Sequence, residues 1–284
     1  MIRNIPQTKT YSQGFKLYVG LYFVFLFAPL MVTCVLAFND SMFPSLPWKG
    51  FTLDWFTGNG PIRTGIFHDQ INLDSIRVSF KVAFFVSLSS TFVGTMAAFL
   101  FEQEDFPFKQ LLFFLMLAPL VIPGVILGIS ILLFSNTLGV FFETHMGLDV
   151  GLFRPGFWLV VLGQFSFITT IATLIVSARL KKFDPTLEEA AMNLGATRFE
   201  TILHITLKFL RPSIIGALAV SFLMSFENFN TTLFLVSSQA TLPINLYLQV
   251  RDGSTPVINA ISVLMIGGTS LLALANLYFS KPDR

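Results

Sequence analysis

Six apolar stretches, roughly residues 17–38, 76–101, 111–135, 157–178, 213–236 and 257–280, are each long enough to cross a hydrocarbon core of about 30 Å, which takes about 20 helical residues. A backbone crossing lipid must satisfy its own hydrogen bonds, so each stretch is expected to be a helix and the fold all-α. Composition agrees: 54% hydrophobic against 12% charged residues, with 34 phenylalanines, is not the balance of a water-soluble domain. The chain is expected to be a polytopic membrane protein of six transmembrane helices.

Lys and Arg in the connections set the orientation. With the N-terminus inside, the inner parts hold Arg3, Lys9, Lys16, Lys109, Arg179, Lys181, Lys182, Arg198, Lys208, Arg211, Lys281 and Arg284, against Lys49, Arg63, Arg154 and Arg251 outside. Arg77 and Lys81, at the outer end of the second span, do not reverse the balance if added to the outer side. This predicts an N-in/C-in chain with a cytoplasmic N-terminus (1–16), a membrane domain (17–280) that includes a cytoplasmic loop (179–212), and a cytoplasmic C-terminus (281–284). The first apolar run exceeds the h-region of a signal peptide and reads as an uncleaved anchor. Cys34, the single cysteine, excludes a disulfide framework and a cysteine metal cluster and reads as a packing residue. The longest polar stretch, 39–75, carries Pro44, Pro47, Gly50, Gly58, Gly60 and Pro61 and is expected to be a docking surface or lid.

Residues 188–211 form a polar and basic island between two apolar segments. Asp184 before Pro185 reads as an N-cap with a first-turn proline, and Gly195 as a left-handed stop, which predicts a helix of about ten residues. Leu187, Ala190, Ala191 and Leu194 fall at i, i+3, i+4 and i+7, an apolar stripe too short to span a membrane and suited to a groove on another protein. Thr197 and Glu200 have capping-box spacing, so a second helix is expected from there to about Leu210, before Pro212. The bland alternative is a helix lying on lipid headgroups. The spacing Glu189-Ala190-Ala191, three residues, Gly195, nine residues, Ile205-x-Leu207 resembles the EAA loop of the membrane subunits of ATP-binding-cassette importers, with Lys208 where that family usually has proline. The resemblance implies that Glu188, Glu189, Ala190, Ala191, Leu194, Gly195 and Ala196 couple to a partner ATPase, and that Lys208 softens the second helix without abolishing coupling.

Catalytic and metal chemistry find little purchase. G-x-x-x-x-G-K-[ST] does not occur, so phosphates cannot be cradled by that route. No cluster has metal-ligand spacing, His68, His145 and His204 are scattered, and no pair of catalytic groups falls at helical spacing within a span. No catalytic residue, no metal and no nucleic-acid partner is expected in this chain, with ATP and Mg bound by a separate ATPase.

Within the fifth stretch stands Ser225-Phe226-Glu227-Asn228-Phe229-Asn230-Thr231. A carboxylate inside a span costs several kcal/mol unless hydrated, paired or protonated, which marks Glu227 as a pathway candidate, with Asn228, Asn230 and Thr231 as a hydrated wall. The structural alternatives are pairing with Arg77 or Lys81, or a place near the outer interface. Its sign favours cationic cargo, and Phe226 and Phe229 would add cation-π attraction of about 0.5–2 kcal/mol each if they face it. In the third stretch, Pro119, Pro123 and Gly124 predict a kink or break, and Gly124 with Gly128 permits close approach, as Ser90, Gly94 and Ala98 do in the second.

Over its whole length the chain resembles permeases of the type I importer class (MetI-like fold), most of all the spermidine/putrescine group, on the six-span layout, Pro119-x-x-x-Pro123-Gly124, the EAA loop, and Ser-Phe-Glu-Asn-Phe followed by Thr241-Leu-Pro243-Ile. That resemblance implies a subunit of the bacterial inner membrane forming half of a polyamine pore. Its expected partners are a second permease of different sequence, two ATPase subunits, a periplasmic binding protein and membrane lipids. Another organic cation or amino-acid-derived compound, ferric iron or thiamine remains as cargo, and a self-contained channel, a secondary carrier or an intramembrane enzyme as rival classes, against which the EAA loop argues.

Overall fold

The computed structural model describes residues 9–61, 63–253 and 255–279. The first eight residues and 280–284 lie outside it, so the expectations for Arg3, Lys281, Arg284 and the C-terminal segment fall outside the described residues, as does part of the N-terminal one. Among the described residues there is no strand, only isolated bridges between Asn39 and Phe51 and between Asn59 and Thr64.

In chain order the helices are α1 (Lys9–Leu36), α2 (Asp54–Thr57), α3 (Gln70–Gln103), α4 (Lys109–Val121), α5 (Gly124–Met146), α6 (Phe157–Leu180), α7 (Thr186–Asn193), α8 (Arg198–Thr201), α9 (Leu207–Phe226), α10 (Leu242–Gly253) and α11 (Val257–Phe279). A π turn, Ile202–Thr206, joins α8 to α9, and 3₁₀ turns lie at Gly151–Phe153 and Thr232–Phe234. Among the described residues five helices are long and apolar enough to cross a membrane: Tyr11–Leu36, Gln70–Gln103, Gly124–Met146, Phe157–Leu180 and Arg198–Phe226. α11, 23 residues long, adds a further apolar helix.

The chain forms two units. The described residues up to 73 and from 248 onward make the first, in which α1 packs on α11 and the small α2 also meets α11. Its loop 37–69 has a core of its own around buried Ala37, Trp55, Phe56 and Ile66. The Trp55 indole Nε1 donates to the Asn39 carbonyl at 2.9 Å, and Arg63, seated over the Trp55 ring, pairs with Asp40 and Asp54. The polar stretch is therefore a folded segment with buried residues of its own.

Residues 74–247 form the second unit, built on α3, α6 and α9. One core cluster joins Val82, Val86, Leu159, Val160, Ile168 and Leu235; the other joins Ala98, Ala172, Val176, Leu180, Leu210 and Ala217. The small-residue row on α3 is a packing seam. A Cβ on Gly94 would stand 2.8 Å from Ala172 Cβ and 2.9 Å from Thr173 N, so α3 and α6 touch almost backbone to backbone there.

One expected break is found and one expected span is corrected. The stretch 111–135 is not one helix: α4 stops at Val121, Ile122 and Pro123 are extended, and α5 restarts at Gly124. The missing N–H of Pro123 is the cause, as its residues imply. The stretch 213–236 is displaced, because helix runs without interruption from Arg198 through the π turn and Pro212 to Phe226 and then ends. The second loop helix accordingly does not stop at Leu210. Packing of α9 on α6 carries the helix across Pro212, which loses only one backbone bond.

Candidate functional site: a coupling loop and a pair of helix breaks

The loop after α6 folds as the local signals dictate. Asp184 Oδ1 accepts from the Thr186 backbone N–H at 3.0 Å and from its hydroxyl at 2.8 Å, which opens α7. Gly195, at φ +96, turns the chain, and the Gly195 and Ala196 N–H groups close the end of α7 on Met192 O and Ala191 O. A complete capping box between Thr197 and Glu200 then opens α8. α7 spans eight residues where about ten are expected.

Its two faces differ. Leu187, Glu189, Ala190, Met192 and Leu194 are exposed, Leu194 at 90%, and Phe199 continues the patch at 73%. Glu188, Ala191 and Ala196 turn partly inward. The Thr206 hydroxyl on the π turn donates to Glu188 Oε1, Arg198 pairs with Glu104 at the end of α3 (2.7 Å), and Arg179 Nε donates to the Phe209 carbonyl at 2.9 Å with its guanidinium 4.5 Å from the Phe209 ring. The loop is thus an exposed apolar knob on a base fastened to α3, α6 and α9.

The second feature is the meeting of two helix breaks. One lies at Ile122–Pro123; the other begins at Glu227, the residue that caps α9, and continues through Thr231. They touch. A Cβ on Gly124 would stand 2.9 Å from Asn230 Cβ, and one on Gly128 would stand 2.7 Å from the Thr231 carbonyl oxygen. Gly163 on α6 likewise leaves room for Leu235, and Gly156 N donates to Leu235 O at 2.8 Å. Gly124 and Gly128 therefore do not receive another helix; they cradle irregular backbone, which a membrane bundle tolerates only where protein or a hydrated cavity surrounds it.

A buried polar circuit holds the second break in place. Gln164 on α6, 0% exposed, donates through Nε2 to Thr232 Oγ1 at 2.8 Å and accepts from Ser225 Oγ. Thr232 donates through N and Oγ1 to Asn228 Oδ1 at 3.2 and 2.9 Å. Every polar atom of the Gln164 pair of bonds is answered, so the network orients the turn instead of burying an unmet group.

Glu227 is exposed at the C-terminus of α9. Free carbonyls at a helix C-terminus carry about half a negative charge, so a carboxylate there adds like sign to like. No ion pair among the described residues includes it, and Arg77 is taken by Asp74 at 2.7 Å, which removes the proposed structural pairing with Arg77. Aromatic rings flank the break: Phe226 stacks on Phe222 at 6.0 Å, and Phe229 lies 5.0 Å from the exposed Tyr247. Asn230 is exposed, Asn228 half-buried and Thr231 buried. The placement within a helical span is corrected: Glu227 ends the helix.

Pro119 lies inside α4, which Thr170 of α6 ties by donating through Oγ1 to Met116 O at 2.7 Å, and the break falls at Ile122–Pro123. Sequence reasoning missed Gln164, Ser225, Thr232 and Tyr247. A glutamine in the middle of an apolar run was the available signal for the first. Among the described residues no group of three His, Cys, Asp or Glu is placed to hold a metal.

Comparison with known proteins bears on all of this. The chain is 28% identical over 279 residues to the putrescine transport system permease protein PotI of Escherichia coli (strain K12), covering 98% of this chain and 93% of that protein. It is 24% identical over 255 residues to the spermidine/putrescine transport system permease protein PotC of the same strain, covering 89% of each. It is 26% identical over 255 residues, again 89% of each, to the putative 2-aminoethylphosphonate transport system permease protein PhnV of Salmonella paratyphi A. The crystal structure of a bacterial ABC transporter involved in the import of the acidic polysaccharide alginate contains a chain of the same fold, with TM-score 0.74 at 18% identity over 97% of this chain and 99% of that one. The model of the family described as "binding-protein-dependent transport system inner membrane component" matches residues 90–282, and the chain belongs to that family.

Proposed function

We propose that this inner-membrane permease forms half of the pore of an ATP-driven importer for polyamines, with both termini and the α7 loop in the cytoplasm. The observation that carries the cargo reading is Glu227: an exposed carboxylate at a helix C-terminus, without a cation in any ion pair among the described residues and beside Phe226 and Phe229. An amine answers both negative contributions at once, and aromatic faces add to its attraction. Relatives named for putrescine and for spermidine/putrescine support the same reading.

The exposed face of α7, with Glu189, Ala190, Leu194 and the Gly195 turn, is the docking element for a partner ATPase, which binds the ATP and Mg that this chain is not built to hold. A second permease of different sequence completes the pore, a periplasmic binding protein delivers cargo, and the folded segment 37–69 stands on that side. The test is Glu227→Gln in the assembled transporter. Spermidine uptake should fall at least tenfold while the loaded binding protein still stimulates ATP hydrolysis; uptake at the unsubstituted rate would remove Glu227 from the pathway.

A further inference from the structure

The adjacent carboxylates of α7 face different ways. Glu189 is exposed beside the apolar knob, whereas Glu188 is half-buried and accepts a hydrogen bond from the hydroxyl of Thr206, itself 0% exposed. Among the described residues this is the one side-chain hydrogen bond joining α7 to the helix that continues into the membrane. It ends at a particular place: Thr206 is the last residue of the π turn Ile202–Thr206. A π turn holds one residue more than the α-helix around it, is rare, and is found most often at functional sites. The helix is anchored separately on either side: Arg198 to Glu104 before the turn, and Phe209 O to Arg179 after it.

We propose that Glu188 is a positioning residue for coupling, acting through Thr206 and not on the ATPase: it locks the tilt of the docking helix to the π turn, so that movement of α7 is delivered to α9. This rests on α7 being the ATPase-docking helix. Glu189 is then left to meet the partner, and the two carboxylates divide between them the tasks of contact and transmission. Lys208, where the family usually has proline, fits the arrangement. It keeps a backbone N–H two residues beyond the latch, so the helix continues from the π turn into α9 with Pro212 as its first missing donor.

The experiment uses the assembled transporter in vesicles, with spermidine uptake and ATP hydrolysis measured together and the bound ATPase subunit quantified. Thr206→Val keeps side-chain volume and removes the donor. It should retain the ATPase subunit yet lower uptake per ATP about tenfold, the factor by which one charge-assisted hydrogen bond shifts an equilibrium. Thr206→Ser should restore the ratio. Glu188→Gln, whose amide oxygen still accepts, should fall less than Glu188→Ala. The double change Glu188→Ala with Thr206→Val should be no worse than the worse single change, since both remove one bond.

An unaltered ratio in Thr206→Val overturns the proposal, as does additivity of the two single changes. Loss of the ATPase subunit from Glu188→Ala but not from Thr206→Val also overturns it, because Glu188 would then be a docking contact. If Thr206→Val does not assemble, the Gln and Ala replacements of Glu188 decide, and equal ratios in the two overturn it. Failure of an ATPase subunit to co-purify with the unsubstituted chain would refute the docking reading itself, and this proposal with it.

Discussion

Gly128→Ala tests whether α5 truly cradles irregular backbone. The added Cβ would stand 2.7 Å from the Thr231 carbonyl oxygen and 3.2 Å from its Cα, where ordinary contact begins at about 3.4 Å, so helix and segment must part by about 0.7 Å. Both are backbone atoms, not the free end of a side chain, and Thr231 adjoins Thr232, which Gln164 holds, so the strain has no cheap outlet. Overpacking of this kind costs about 1–3 kcal/mol, partly offset by the roughly 1 kcal/mol by which Ala exceeds Gly in a helix.

Gly139→Ala is the control on the same helix, because its nearest neighbour is Phe153 Cβ at 3.5 Å and only the helix gain applies. The two variants should therefore differ by about 1–3 kcal/mol, which for a chain of this size separates their melting midpoints by about 2–12 °C. Purified protein in detergent, scanned at one rate, supplies the readout. Gly128→Ala should melt lower and transport less. Equal midpoints for the two variants would show that residues 230–231 do not lie in the Gly124–Gly128 groove, and the account of the paired breaks would fail.

Leu194→Asp places a charge on the 90% exposed tip of the docking face, so the spans should stay folded while the ATPase subunit is lost on purification; retention of that subunit at full stoichiometry would refute the docking assignment. Gln164→Leu removes both bonds that fix the 227–232 turn at nearly constant volume, and at about 0.6 kcal/mol per interhelical hydrogen bond in a membrane it should cost about 1 kcal/mol of stability, seen as a modestly lower midpoint. Transport should fall further than stability does, and unchanged uptake would show that the turn needs no anchor.

Features written in local chemistry were legible in the residues. Length and apolarity mark α6 and α11 within two residues and α3 with its first six residues missed; Pro123 breaks the third stretch; Gly195 and the Thr197–Glu200 box shape the loop as their types require. The end of α9 was not legible. Ser225-Phe-Glu-Asn-Phe-Asn holds no proline or glycine to mark the stop, and the turn is held from a distance by Gln164, 61 residues before Ser225, which accepts from the Ser225 hydroxyl and donates to that of Thr232. Pro212 misleads for the converse reason: a local breaker is overridden by packing against α6. The roles of Glu188 and Glu189 could not be separated either, since adjacent residues on a short helix part company only when one of them meets a distant hydroxyl.

The central claim, import of polyamines by a complex that borrows its ATPase, is tested most directly by ATP-driven uptake of labelled spermidine into vesicles holding this chain with its permease, ATPase and binding-protein partners. Putrescine, thiamine and phosphate serve as unlabelled competitors. The account predicts saturable, ATP-dependent uptake suppressed by putrescine and by neither of the others. Absence of spermidine uptake in a complex whose ATPase still responds to its loaded binding protein would contradict the polyamine assignment and leave an importer of other cargo.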